Sequence, residues 1–278
     1  MKQYIFLPIA LVATLAALLF TSCTISVNST SEAIEPGEMT KETRKIEAFN
    51  KIYTGGSMDV EFVTSDSTYI EIEAGKNVLP HIKTEVYNGK LNIQLDNADG
   101  NPFISADKRT IRIQTKNINN LGDIKVKVFA PTFDELYTGG AIDFEADSIN
   151  TSKEFKVHTA GNSDIHIKQI NCTNNAEIKI AGKGDIKIDN ITCQNMKIET
   201  AGNSDLQLQI KDANNIDIST AGHSSAEITF NNCNRAGVNV AGAANLTFKG
   251  TLNILDKHLA GACSIDTDEL KLTNKTHK

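Results

Sequence analysis

Residues 159–167 read TAGNSDIHI, residues 180–188 IAGKGDIKI and residues 200–208 TAGNSDLQL. The phrase continues as TAGHSSAEI (220–228), VAGAANLTF (240–248) and LAGACSIDT (259–267). It is already present earlier, as YTGGSMDVEF (53–62) and YTGGAIDFEA (137–146). The second residue of each Gly-Gly or Ala-Gly pair is Gly56, Gly140, Gly161, Gly182, Gly202, Gly222, Gly242 or Gly261, and from Gly140 onward the steps are 21, 21, 20, 20, 20 and 19 residues. Self-similarity at a fixed step of this size marks a solenoid.

Around each glycine the chain alternates with period two. Ile165 and Ile167, Ile186 and Ile188, Leu206 and Leu208, and Leu246 and Phe248 fall on one side, while His166, Lys187, Gln207 and Thr247 fall on the other. About twenty residues make three short strands with their turns, which is one coil of a β-helix. The fold expected is therefore all-β: a right-handed parallel β-helix, a single-stranded solenoid with coils of about 20 residues. A left-handed hexapeptide helix, with eighteen-residue coils, fits the steps less well. The gap of 84 residues between Gly56 and Gly140 equals four turns of 21, so about eleven coils are expected between Ile46 and Leu272.

The N-terminal half is less regular. Asn88-Gly89 between two alternating runs signals a hairpin. Yet FNKIYTGGSMDVE (49–61) and FDELYTGGAIDFE (133–145) match at an offset of 84, so residues 46–278 read as one β-helical domain with related halves, 46–131 and 132–272.

Composition narrows the function classes. The 278 residues are 40% hydrophobic and 22% charged, with no tryptophan and a net charge of −6 without a basic cluster. Nucleic acid is therefore excluded as a partner. Residues 1–22 read as an export signal, with Lys2 ahead of an apolar run from Ile5 to Phe20. The sequence Phe20-Thr21-Ser22-Cys23 resembles the lipobox of bacterial lipoproteins, which implies cleavage before Cys23 and its acylation. Residues 23–45 are then a flexible tether. Thr24 and Ile25 are not an acidic retention signal, so a lipid-anchored protein of the outer membrane is expected, with its face undetermined.

The Tyr-Thr-Gly-Gly phrases, the Asn-Gly-Lys-Leu run starting at Asn88, and the serial Ala-Gly corners followed by Asp resemble the head GIN domain family of auto-transporter adhesins, over roughly Ile46 to Leu270. That resemblance implies a β-helical, commonly lipid-anchored protein with no established catalytic site and an adhesive role.

Several side-chain sets recur at the coil period. Asp143, Asp164, Asp185 and Asp205 should stack about 5 Å apart by the sheet spacing. They read either as a line for a cation such as Ca²⁺ or, preferably, as acceptors for turn N–H groups, a role that Ser225, Asn245 and Ser264 would keep. Asn175, Asn195 and Asn215 read as an amide ladder. Cys172, Cys193 and Cys233 read as small buried thiols in preference to disulfides. No CxxC or HExxH occurs, the histidines read as solvated, and no metal or cofactor is expected.

No arginine has an acid–base partner at matching coil phase, and no nucleophile elbow or P-loop is present. The expected role is non-catalytic: binding to a glycan or to an envelope or host surface protein through outward residues of the post-glycine strand, including His166, Lys187 and Gln207. A polysaccharide-active enzyme and a self-associating homo-oligomeric scaffold are the alternatives.

Overall fold

A computed structural model describes residues 26–95, 112–119 and 121–274. The leader 1–22 and Cys23 lie outside the described residues. In chain order the strands are β1 (Ser26–Ala33), β2 (Met39–Lys45), β3 (Lys51–Thr64), β4 (Tyr69–Gly75), β5 (Ile82–Tyr87), β6 (Lys90–Leu95), β7 (Arg112–Asn119), β8 (Lys125–Ala130), β9 (Glu135–Thr151), β10 (Glu154–Cys172), β11 (Asn175–Thr192), β12 (Asn195–Lys211), β13 (Asn215–Gly261), β14 (Ser264–Asp266) and β15 (Leu270–Leu272). The chain divides into two compact units. In one, β1 pairs in parallel with β7. In the other, residues 36–95 and 121 onward form a parallel β-solenoid of about 7 turns.

The repeat sets the register. Gly140, Gly161, Gly182, Gly202 and Gly222 pair one with the next across β9 to β13, and Ile165, Ile186 and Leu206 pair beside them. Inward residues form columns whose members are almost fully buried, among them Leu136, Val157, Ile178, Ile198, Ile218 and Val238. Each such side chain contributes roughly 1.5–3 kcal/mol of transfer free energy.

The corner explains the invariant spelling. Gly182 and Gly202 both sit at φ +126°, and a Cβ on Gly202 would lie 2.2 Å from the Gly182 carbonyl oxygen. Backbone stacks on backbone there, so only glycine fits.

Inside the corner runs a seam of buried hydroxyls that the apolar pattern does not reveal. Thr138 donates to Ser163 at 2.9 Å, Thr200 meets Ser224 at 3.1 Å, and Ser204 donates to Ser224 at 3.2 Å. Both Thr138 and Thr200 meet a serine one coil on. Thr54 has Ile142 at that position instead, and its hydroxyl is buried without a partner. Along another corner, Asn195 donates to Asn175 at 3.0 Å and Asn215 to Asn195 at 3.1 Å, the expected amide ladder. Cys172, Cys193 and Cys233 are free and buried. Burial pushes all three thiols up, that of Cys193 to about 12.

The N-terminal half departs from expectation. The 84 residues between the two Tyr-Thr-Gly-Gly phrases do not wind four further coils. Instead β3 stacks directly on β9, with Tyr53 against Tyr137 and Gly56 against Gly140, and the solenoid has about 7 turns where eleven were expected. The intervening chain wraps the other edge of β3: β6 pairs with its first half and β8 with its second. The Asn88-Gly89 hairpin is present, joining antiparallel β5 and β6, with φ of 50° and 71°.

The tether is also corrected. Residues 39–45 form β2, antiparallel to β4, which in turn is antiparallel to β8, and residues 26–33 form β1. The polar composition of β2 suits an edge strand with little buried surface. At the other end, β14 and β15 stack on residues 245–247 and 250–252 to complete the last coil.

Candidate binding face

After each glycine the strand carries two outward columns. The first is Asp59, Asp143, Asp164, Asp185, Asp205 and Ser225, adjacent across the register. The second, two residues further along each strand, is Glu61, Glu145, His166, Lys187, Gln207 and Glu227. The fold thus brings the aspartate ladder and the row of His166, Lys187 and Gln207 onto one face. Together they line a shallow groove of about 760 Å³ that runs on to Asn245 and Thr247. Asp59, Glu145 and Glu227 join sets in which they were not anticipated, although the phase of YTGGSMDVEF and YTGGAIDFEA already placed the first two.

Charge is balanced unequally around the coil. On the pre-glycine strand signs alternate along the axis through Lys51, Glu135, Lys156, Glu177 and Lys197. Lys51 meets Glu135 at 3.0 Å from coil to coil, Lys197 meets Glu199 at 2.8 Å within one strand, and Lys179 bridges Glu177 on its own strand and Glu199 on the next. Side-chain hydrogen bonds from lysine hold Glu154 and Glu199 below the usual carboxylate range. On the same face Tyr53 of β3 and Tyr137 of β9 stack at 4.2 Å, and the Tyr137 ring meets His158 edge-on at 4.8 Å.

The groove face has no such alternation. Among the described residues none of the aspartates of its first column is in an ion pair. Partial burial, and then the neighbouring carboxylates, raise the pKa of Asp143 and Asp185. Asp185 also accepts the backbone N–H of Asp205, one coil on. His166 lies 3.3 Å and Lys187 3.5 Å from Asp189, which tethers both side chains at the groove's rim. Among the described residues no group of three or more His, Cys, Asp or Glu is placed to hold a metal ion. The groove is open and walled by repeated polar rows that run along the solenoid axis.

The geometry defines a β-solenoid whose post-glycine face bears a polar groove. The sequence matches the family described as putative auto-transporter adhesin, head GIN domain, over residues 48–251, and the chain belongs to that family. Its fold is shared by a putative adhesin from Bacteroides fragilis, with 20% identity, 84% of this chain and 99% of that chain covered, and a TM-score of 0.66. A putative adhesin from Parabacteroides distasonis aligns at 14% identity over 89% and 98% of the two chains, with a TM-score of 0.61. A protein of the same organism described as a putative lipid binding protein aligns at 16% identity over 87% and 99%, with a TM-score of 0.54. No curated protein matches the sequence. Family membership supports an adhesive or binding role and a location in the cell envelope or at the surface. Among the described residues no helix is long and apolar enough to cross a membrane.

Proposed function

We propose that this is a lipid-anchored, non-catalytic envelope protein of the outer membrane that binds an extended glycan or protein segment in the post-glycine groove. The observation that carries the reading is the convergence of both outward columns, including Asp164, His166, Lys187 and Gln207, in one continuous trough. Each coil offers a similar set of polar groups at the sheet spacing, so weak contacts add along the axis without a deep pocket. Carboxylates accept hydroxyl or ammonium hydrogens, and the His166 and Lys187 side chains donate to acceptors.

The test is saturable binding of the purified chain to arrays of glycans and matrix proteins, with Asp164→Asn and Lys187→Glu as groove variants. Lys179→Glu, on the charge-balanced strand, serves as the control. Both groove variants should weaken attachment at least tenfold while the control does not. An assay for new reducing or unsaturated ends on the same glycans separates binding from turnover, and turnover would overturn the reading. The anchor is tested apart, by replacing Cys23 with serine and following membrane partition.

A further inference from the structure

The two ends of the solenoid are finished differently. At the amino end β6 and β8 cover β3, and the edge continues to β2, whose MTKETRK sequence presents charged side chains to solvent. At the other end the last coil, residues 253–274, stacks on residues 234–253, and among the described residues no strand pairs with its outer edge. Such an edge is a template for a second copy of the same chain.

Core-facing positions of that coil follow from its register. Leu246 pairs with Ile265, a Cβ on Gly261 would meet the Gly242 carbonyl, and Asn253 donates to Asn234, so the offset from the coil below is 19 residues on both sides of the corner. The column Ile52, Leu136, Val157, Ile178, Ile198, Ile218 and Val238, buried and aliphatic throughout, therefore ends on Lys257. A neighbouring column, containing Ile167, Ile188, Leu208, Ile228 and Phe248, ends on Thr267. Leu259 stands above buried Val240 and is 46% exposed.

We infer that Lys257 is a built-in terminator: an ammonium at a core-facing position that stops a second copy from stacking on the open end. To add a strand there, an incoming edge would have to bury that charge between two hydrophobic columns, and an unpaired buried charge is strongly disfavoured. In an antiparallel two-fold pairing centred on this segment, the two copies of Lys257 would oppose each other as well. Inward-pointing charge is a known means of blocking an edge. The reading predicts that removing one charge is enough to switch on association through this end.

The experiment compares the full chain in detergent with Lys257→Val and His258→Val, by sedimentation velocity from low to high micromolar concentration. Both substitutions add similar apolar surface to the same edge, but residue 258 faces outward. Lys257→Val should associate at a concentration at least tenfold below wild type, and adding Leu259→Lys should reverse it. It should also raise the melting temperature at dilution, where association is absent. His258→Val should behave as wild type. The inference is overturned if Lys257→Val sediments as wild type does, if His258→Val associates equally, or if Leu259→Lys dissociates a wild-type oligomer.

Discussion

Replacing Gly202 by alanine tests the corner on which the coils are stacked. Its φ of +126° is a conformation L-residues rarely hold, and the new Cβ would sit 2.2 Å from the oxygen, 3.0 Å from the carbon and 3.1 Å from the nitrogen of Gly182. Forcing a non-glycine residue into that backbone costs roughly 1–3 kcal/mol. The atoms in the way are backbone hydrogen-bonded on both sides, so they cannot swing aside, and overpacking of this kind adds about 1–3 kcal/mol. The sum is about 4 kcal/mol, a large part of the 5–15 kcal/mol that usually separates folded from unfolded chains. For a domain of this size it corresponds to a fall in melting temperature of roughly 8–16 °C. Gly139→Ala is the matched comparison. A Cβ there meets nothing within 4 Å, and alanine already occupies the equivalent positions 160, 181, 201 and 221. It should be neutral, or stabilising by about 0.4–1 kcal/mol through the unfolded chain. Urea unfolding followed by circular dichroism measures both. If Gly202→Ala stays within about 1 kcal/mol of wild type, or if the two substitutions cost the same, backbone-on-backbone stacking at the corner is wrong.

Three other expectations follow from particular side chains. Thr54→Val removes a buried hydroxyl that has no partner, so the protein should gain about 1–3 kcal/mol in denaturant unfolding. Thr138→Val breaks the bond to Ser163 and should lose stability instead. Asp143→Asn should stabilise the fold, in a pH-dependent way. Because partial burial, and then the neighbouring carboxylates, raise the native Asp143 pKa above the ordinary aspartate value, the folded state holds that proton more tightly than the unfolded chain. Its stabilising contribution is therefore present at low pH and lost as pH rises from about 3.8 through the raised native value, so the variant's advantage should appear across that window and stay level above it. Acid titrations of wild type and variant, compared by difference, cancel the opposite trend of lysine-paired Glu154 and Glu199. Finally, a thiol reagent at pH 8 with peptide mapping should label half-exposed Cys263 in the native protein, and Cys172, Cys193 and Cys233 only after unfolding.

The coils were legible because period two and the twenty-residue step report the same geometry: one decides which side chains enter the core, the other which residues lie above one another. The Asn88-Gly89 turn was legible for a local reason, its tolerance of positive φ. The excursion after β3 was not, since a gap of 84 is arithmetically compatible with four coils and also with none. What distinguishes them is that Ala74-Gly75, the one Ala-Gly pair in the gap, runs into Lys-Asn-Val-Leu-Pro and not into an alternating strand, and that no further such pair follows before Gly139-Gly140. Strand β2 escaped notice because MTKETRK has no apolar alternation, its pairing to β4 being held by backbone bonds at an edge. The hydroxyl seam escaped because Thr and Ser read as surface residues, although here they satisfy one another inside. On the candidate face, each row was found from its own spacing. That both rows share a trough with Glu145 depends on how the strands lie side by side, which spacing alone does not state.

The direct stacking of β3 on β9 has a kinetic consequence. Coils from β9 onward find their partners after about twenty residues of chain, whereas β3 has to wait for a segment 84 residues downstream. Two extra doublings of loop length cost only about 1.2 kcal/mol in closure entropy, so the equilibrium barely notices. During synthesis the order is reversed in time: the earliest strand of the solenoid emerges first and is sealed on that side only when β9 has formed. Until then that edge is open to wrong partners, because the early hairpin of β5 and β6 covers only the opposite edge of β3.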